Sequence, residues 1–294
     1  MKTILHTLVA LALLAILPAY GQKEKNVVYQ VSIGELIYTP PTGESTNAVG
    51  QILKGVAETM LTGQSSKQEP QYAEAVRAGI VNGLNRVVLF RPMEGGMLDA
   101  DGLTNVPALY VDGTIANIST VSKVETVTDK NGKKKGTETH YRGLITVTVN
   151  LKEVSNGSII NSHTFNIDNT GGAWMGSSEK AISNALEYLA SQVGSYYNKL
   201  FPLHASIVEG GEVKKNKQKE VYIDLGFPDG VYEGQSFDVY LVKTVAGKEA
   251  RTLIGRLRIE EVQGDEISLC KVTKGGDKIK TAVDEGQTLL ITSR

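Results

Sequence analysis

Ser177-Ser178-Glu179-Lys180 places a serine and a lysine three positions apart. At the start of a helix, that spacing puts the amine where it could activate the hydroxyl as a nucleophile. A serine at a helix start also caps free backbone amides. The Ser-Asp-Asn and Lys-Thr-Gly elements that accompany this motif are absent, so capping is the favoured reading and no catalytic residue is assigned. His140, His163 and His204 show no His-x-x-x-His or Cys-x-x-Cys spacing. A zinc site would have to be gathered from distant positions, and no metal ligand is assigned. Asp99-Ala100-Asp101-Gly102 has the start of a calcium loop, but Leu103 holds the next alternate position and no glutamate closes it; a turn is expected. Neither Gly-x-x-x-x-Gly-Lys nor Gly-x-Gly-x-x-Gly after a strand is present, so no nucleotide or other cofactor is expected.

The residues better suited to binding are aromatic and basic. Trp174, the only tryptophan, lies with Met175 on the loop Gly171-Gly172-Ala173-Trp174-Met175-Gly176 just before a helical run. Tryptophan and methionine are frequent interface anchors, and equally frequent apolar plugs under a helix. For the chain to bind a glycan or peptidoglycan, exposed aromatics around Tyr72, Tyr141 or Trp174 would have to line one groove. Lys214, Lys215, Lys217 and Lys219 crowd a polar stretch that could meet an anionic envelope polymer or simply be solvated.

The elements that position these residues follow from periodicity. A strand is expected from Val27 to Ile33, closed by Pro40-Pro41. Val49, Ile52, Leu53, Val56, Ala57, Met60 and Leu61 form a helical stripe, with Asn47 as its cap. A flexible polar bridge, 62–68, leads to a second helix, Tyr72 to Leu84, and then a short strand, Val87 to Phe90, stopped by Pro92. A glycine-rich loop follows. Ala108 to Val127 reads as a long strand, turned back by Asp129-Lys130-Asn131-Gly132-Lys133-Lys134-Lys135-Gly136 into Tyr141–Val154. There Ile145, Val147, Val149 and Leu151 share one face, and Leu144, Thr146, Thr148, Asn150 and Lys152 the other. Asn156-Gly157 marks a hairpin into Ile159–Ile167, completing a three-strand antiparallel meander. A third helix runs from Ser177 to Leu200 until Pro202, and His204 to Val208 is a further strand.

Residues 209–220 are polar enough to be a linker. Beyond them every segment is strand-like, broken by Asp229-Gly230, Ala246-Gly247, Gly264-Asp265 and Glu285-Gly286, which predicts a small all-β barrel with no helix. The fold class is α+β: a mostly antiparallel sheet with helices on one face, followed by the barrel.

Met1-Lys2-Thr3, an apolar run from Leu8 to Leu17 and Pro18-Ala19-Tyr20-Gly21 have the order of a secretory signal, cleaved near Gly21/Gln22. The run is shorter than the roughly 20 residues that span a bilayer, so no transmembrane segment is expected. The only cysteine, Cys270, is far from the cleavage point, so neither a lipid anchor nor an internal disulfide is expected. A formal net charge of −1 argues against a nucleic-acid partner.

The helix Ala73–Leu84 feeding Arg86-Val87-Val88-Leu89-Phe90, then Ala108-Leu109-Tyr110-Val111-Asp112-Gly113-Thr114-Ile115, resembles the curli-assembly (CsgG-like) fold. That fold is similar to the amino-terminal domain of the Tol-Pal propeller protein and to lipoprotein activators of penicillin-binding proteins. Asp224-Leu225-Gly226, Asp229-Gly230-Val231, Gly234-Gln235-Ser236-Phe237-Asp238-Val239 and Ile254-Gly255-Arg256-Leu257 resemble the carboxy-terminal SH3-like barrel of the flagellar T-ring assembly protein. The chain would then divide into a leader (1–21), a CsgG-like domain (22–208), a linker (209–220) and an SH3-like barrel (221–294). The resemblance implies a non-enzymatic bacterial protein of the periplasm, or secreted, that assembles or scaffolds envelope proteins in an outer-membrane secretion or surface-structure system. It also implies self-association, since this fold class builds rings. A pore is disfavoured, because the hairpin tip Lys130–Lys135 is strongly charged. A carbohydrate- or peptidoglycan-binding module and a secreted hydrolase of envelope polymers are the alternatives.

Overall fold

The computed structural model describes residues 26–39, 65–93, 107–168 and 173–294. The leader, the helix expected over 49–61, the Asp99–Asp101 turn and the Gly171-Gly172 pair lie outside the described residues. The chain forms two compact units, Val27–Phe201 and Pro202–Arg294, the second of which also takes in Asn26.

The first unit is built on strands β1 (Tyr29–Tyr38), β2 (Ser65–Gln68), β3 (Phe90–Met93), β4 (Ala108–Thr128), β5 (Lys134–Glu153) and β6 (Ile159–Ile167). They hydrogen-bond in the order β3-β1-β4-β5-β6, with β2 added antiparallel to β4. β1 runs parallel to both β3 and β4, and the remaining pairs are antiparallel. The alternation read in β5 decides the layering: Ile145, Val147, Val149 and Leu151 are all fully buried. Helices α1 (Ala73–Leu84) and α2 (Ser178–Leu200) supply the other side of that core through Val76, Ile80, Leu84, Ile182, Leu189 and Val193. The opposite face carries cross-strand polar pairs. Thr146 bonds Asn166 at 3.0 Å, Thr148 bonds Thr164 at 2.8 Å, and Asn150 donates to Asp112 at 3.0 Å.

The helices approach the sheet and each other closely. A Cβ on Gly83 would stand 2.6 Å from Val193 Cβ, and one on Gly143 would stand 2.5 Å from the Ala181 carbonyl oxygen. Glycine is needed at both positions because backbone or branched carbon occupies the space. Tyr29, Phe90 and Phe201 pack edge to face at the end of this core.

Two sequence expectations change here. Val87 to Leu89 is a turn, and the strand is Phe90–Met93, which runs through Pro92. Val87, Leu89 and Phe90 are apolar because the turn is buried, and Pro92 is tolerated because β3 is an edge strand. The polar bridge contains β2, whose partners on β4, Ser119 to Ser122, are mostly polar as well. Its pairing is made by backbone and leaves no alternation to read.

In the second unit, strands β7 (His204–Ala205), β8 (Ile207–Gly210), β11 (Glu220–Ile223), β12 (Ser236–Val245), β13 (Lys248–Val262), β14 (Ser268–Lys274) and β15 (Leu289–Ser293) follow the order β7-β15-β12-β13-β14-β11-β8. The first and last strands of that order are separated by Ser206 alone, so the sheet curls into a nearly closed barrel. Its interior holds Val221, Ile223, Phe237, Val239, Leu257, Ile259, Cys270 and Ile291. The Asn26 side chain fixes the start of β7 by accepting from the His204 amide at 2.8 Å and donating to its carbonyl at 2.9 Å.

The residues read as a linker are structured. They hold a hairpin of β9 (Val213–Lys214) and β10 (Lys217–Gln218) turned through Lys215 and Asn216, both at positive φ. Gln218 is buried and donates to the carbonyls of Gly211 and Glu220, so a polar sequence here is a stitched turn rather than a tether. The strand His204–Val208, read with the first domain, supplies β7 and β8 to this barrel. A helix, α3 (Gly276–Asp284), is also present where none was expected. It buries Ile279 and Ala282 on one face, and at nine residues its apolar period is too short to stand out from the strands around it.

Candidate interaction site

β4 and β5 pair along their whole length, from Leu109 opposite Glu153 to Thr128 opposite Lys134. β6 ends at Ile167 opposite Ile145, and β2 at Ser65 opposite Ser122. Beyond Ser122 and Tyr141 the hairpin is therefore a two-stranded ribbon among the described residues.

Trp174 and Met175 are held at the base of this ribbon. Met175 and Tyr141 exchange backbone hydrogen bonds, each 2.8 Å, as an isolated antiparallel bridge. Paired residues share a face and their neighbours take the other, so Trp174 lies on the face of Arg142 and Lys123. The Arg142 guanidinium carbon is 4.5 Å and Lys123 Nζ 4.6 Å from the indole centroid. Two cations on one ring fix its orientation, each contact being worth about 0.5–1 kcal/mol where exposed. Lys123 also donates to Glu125 at 2.5 Å, and His140 lies 3.7 Å from Glu125 and 3.8 Å from Glu138. The Lys123 ammonium holds the Glu125 carboxyl below its usual range. The result is a half-buried aromatic ring framed by alternating charges, an arrangement that can dock a partner's apolar side chain and hydrogen-bond around it.

The other sequence candidates are elsewhere. Tyr72 packs against the hydrophobic core beside α1. Tyr141 lies on the opposite face of the ribbon from Trp174. Lys214, Lys215, Lys217 and Lys219 are exposed on the β9–β10 hairpin and the residue that follows it. Ser177 caps α2, its Oγ accepting from the Lys180 amide at 3.3 Å. Among the described residues, no three His, Cys, Asp or Glu side chains stand where they could hold a metal ion. His163 stacks on Tyr196 with ring centroids 3.9 Å apart, and burial lowers its pKa. Cys270 is buried in the barrel, where burial pushes its thiol up to about 12. No helix among the described residues is long and apolar enough to cross a membrane.

Sequence reasoning missed the residues that pin this end of the molecule. Glu69 is almost fully covered, and its carboxylate accepts from Lys67 at 3.1 Å, Ser178 at 3.1 Å, Thr120 at 3.4 Å and Gln71. Burial works against the charge, but hydrogen bonds from Lys67, Gln71 and Ser178 outweigh it and hold the carboxyl below its ordinary value. Lys123 and Arg142 were equally silent, since nothing local links them to a tryptophan that lies far along the chain from both.

The two units together define an α+β protein with a sheet layered by helices and a separate barrel-like sheet. No family model and no curated protein matches the chain. Among solved structures, a neuraminyllactose-binding hemagglutinin homolog of Helicobacter pylori is similar at 12% identity over 60% of this chain and 87% of its own, with TM-score 0.31. The PelC dodecamer of Paraburkholderia phytofirmans is similar at 13% identity over 59% and 92%, with TM-score 0.26. A Xanthomonas campestris protein is similar at 11% identity over 63% and 88%, with TM-score 0.28.

Proposed function

We propose that this chain is an exported, non-enzymatic scaffold or assembly protein of the bacterial cell envelope that works through protein–protein contacts. The observation that supports this reading best is the Trp174 site. Its ring is clamped by Arg142 and Lys123, its loop is tied to β5 by the Tyr141–Met175 bridge, and its surroundings are polar. A rigid aromatic ringed by hydrogen-bonding groups is the usual composition of an interface anchor. The leader-like first residues support export, and the curli-assembly resemblance supports an envelope role and self-association.

The test is crosslinking in intact cells, followed by affinity purification and mass spectrometry, on the wild type and on Trp174→Ala. A defined set of envelope proteins, or a discrete homo-oligomer, is expected from the wild type. Trp174→Ala is expected to lose that set while its circular dichroism is unchanged. Recovery of monomer alone from the wild type removes the scaffold reading, and glycan arrays and polymer hydrolysis assays then decide between the alternatives.

A further inference from the structure

The β4–β5 ribbon ends in one of two lysine-rich turns of the chain, the other being the β9–β10 hairpin. Between Asp129 and Lys135 there are four lysines and one aspartate, a net of +3. The whole chain is formally −1, which leaves the remainder at −4. Lys130, Lys133, Lys134 and Lys135 are all exposed, and no ion pair engages them among the described residues. The one acid is used inside the turn: Asp129 Oδ1 accepts from the amides of Asn131 and Lys133, each at 2.9 Å. Gly132, at φ 78°, supplies the left-handed residue that closes it. The loop is therefore shaped by the acid while four ammonium groups point outward from a fixed frame.

Placement matters as much as charge. Five paired residues, Val124 to Thr128, separate the tip from the Trp174 clamp, roughly 17 Å at about 3.3 Å per residue. That is about twice the Debye length of about 8 Å at physiological ionic strength. Charges of the first unit at or behind the clamp are thus largely screened from the tip, and on the ribbon between them Glu125 is engaged by Lys123 and Glu138 lies beside His140. A flat anionic surface suits such geometry, because it can rest against the end of the arm. A flexible polyanion could wrap onto the acidic body as well, and a nucleic acid would want stacking rings, of which the ribbon from Val124 to Thr139 has none.

We infer that the ribbon tip is a membrane-surface contact, in which Lys130, Lys133, Lys134 and Lys135 bind the phosphate-bearing headgroups of an anionic bilayer. The contact is peripheral and electrostatic, with no insertion, since the ribbon's exposed residues are mostly Glu125, Glu138 and threonines, with Val124 the large apolar side chain exposed among them. Each lysine brought to such a surface multiplies binding about fivefold.

The experiment is co-sedimentation of the full chain with phosphatidylcholine vesicles, with and without phosphatidylglycerol. Binding is expected only with phosphatidylglycerol, and it should weaken as salt is raised. Lys133→Gln, Lys134→Gln and Lys135→Gln combined should lower it about a hundredfold, whereas Lys214→Gln, Lys215→Gln and Lys217→Gln combined should leave it unchanged. Circular dichroism of each variant verifies that the fold is kept. The inference is overturned if the wild type ignores phosphatidylglycerol, if the tip variant binds as the wild type does, or if the loss belongs to the second hairpin. Tip-dependent binding to heparin without binding to vesicles overturns it in favour of a soluble anionic polymer.

Discussion

Ser178 donates its hydroxyl to the buried carboxylate of Glu69 at 3.1 Å, although 109 positions separate them in the chain. The bond ties the first turn of α2 to the segment between β2 and α1, and Thr120 on β4 joins the same carboxylate. Three elements of the first unit therefore meet on one acid.

Removing that acid leaves several donors without an acceptor, so Glu69→Ala is expected to lose about 1–3 kcal/mol at neutral pH. The pH dependence has a definite sign. The folded pKa lies below the ordinary value of 4.5, so the contribution is present above the unfolded value and is lost as pH falls through the folded one. Denaturant titrations of wild type and variant should converge in acid; a gap that stays constant with pH would count against the charge as the stabilising form.

Two glycines on β5 separate close packing from chain freedom. Gly143→Ala puts a methyl 2.5 Å from the Ala181 carbonyl oxygen and 2.9 Å from Ala185 Cβ, and is expected to cost about 1–3 kcal/mol. Gly136→Ala meets nothing within 4 Å and should stay within about 0.5 kcal/mol of the wild type. Thermal denaturation of both variants checks the contrast, and equal losses would refute the close approach of α2 to the sheet.

Tyr197 carries its hydroxyl into the core, fully buried and without a hydrogen-bond partner among the described residues. Tyr197→Phe should therefore be neutral or stabilise by about 1 kcal/mol. Burial, and then the neighbouring Tyr196, raise the phenol above its ordinary value of 10.0. The raised folded pKa gives stability that is complete below the unfolded value and is lost as pH rises toward the folded one. The advantage of the variant should grow above about pH 10. A clear loss of stability at neutral pH would mean that the hydroxyl is satisfied after all.

Much of the first unit was legible because its periods are clean. In β5, apolar and polar residues alternate over four full repeats, and Ser177 to Leu200 keeps a helical stripe between a cap and Pro202. Hydrophobic burial needs only that spacing, so the meander and α2 could be read locally. The readings that changed share another cause. β2, β9 and β10 pair through backbone groups that every residue owns, and α3, at nine residues, is too short for its period to stand out. Val87 to Leu89 looks like a strand because a buried turn needs the same residue types.

The sequence by itself determined the α+β class, the long hairpin, the capped helix and the residues from which a contact site could be drawn, since periodicity and turn chemistry act over a few residues. Only the tertiary structure decided which of those residues meet. Trp174 found Lys123 and Arg142, Tyr141 was turned to the other face, and Glu69 gathered Ser178 and Thr120. Such contacts depend on strand register and helix docking, which are set by the summed packing of the whole unit and leave no mark at any single position.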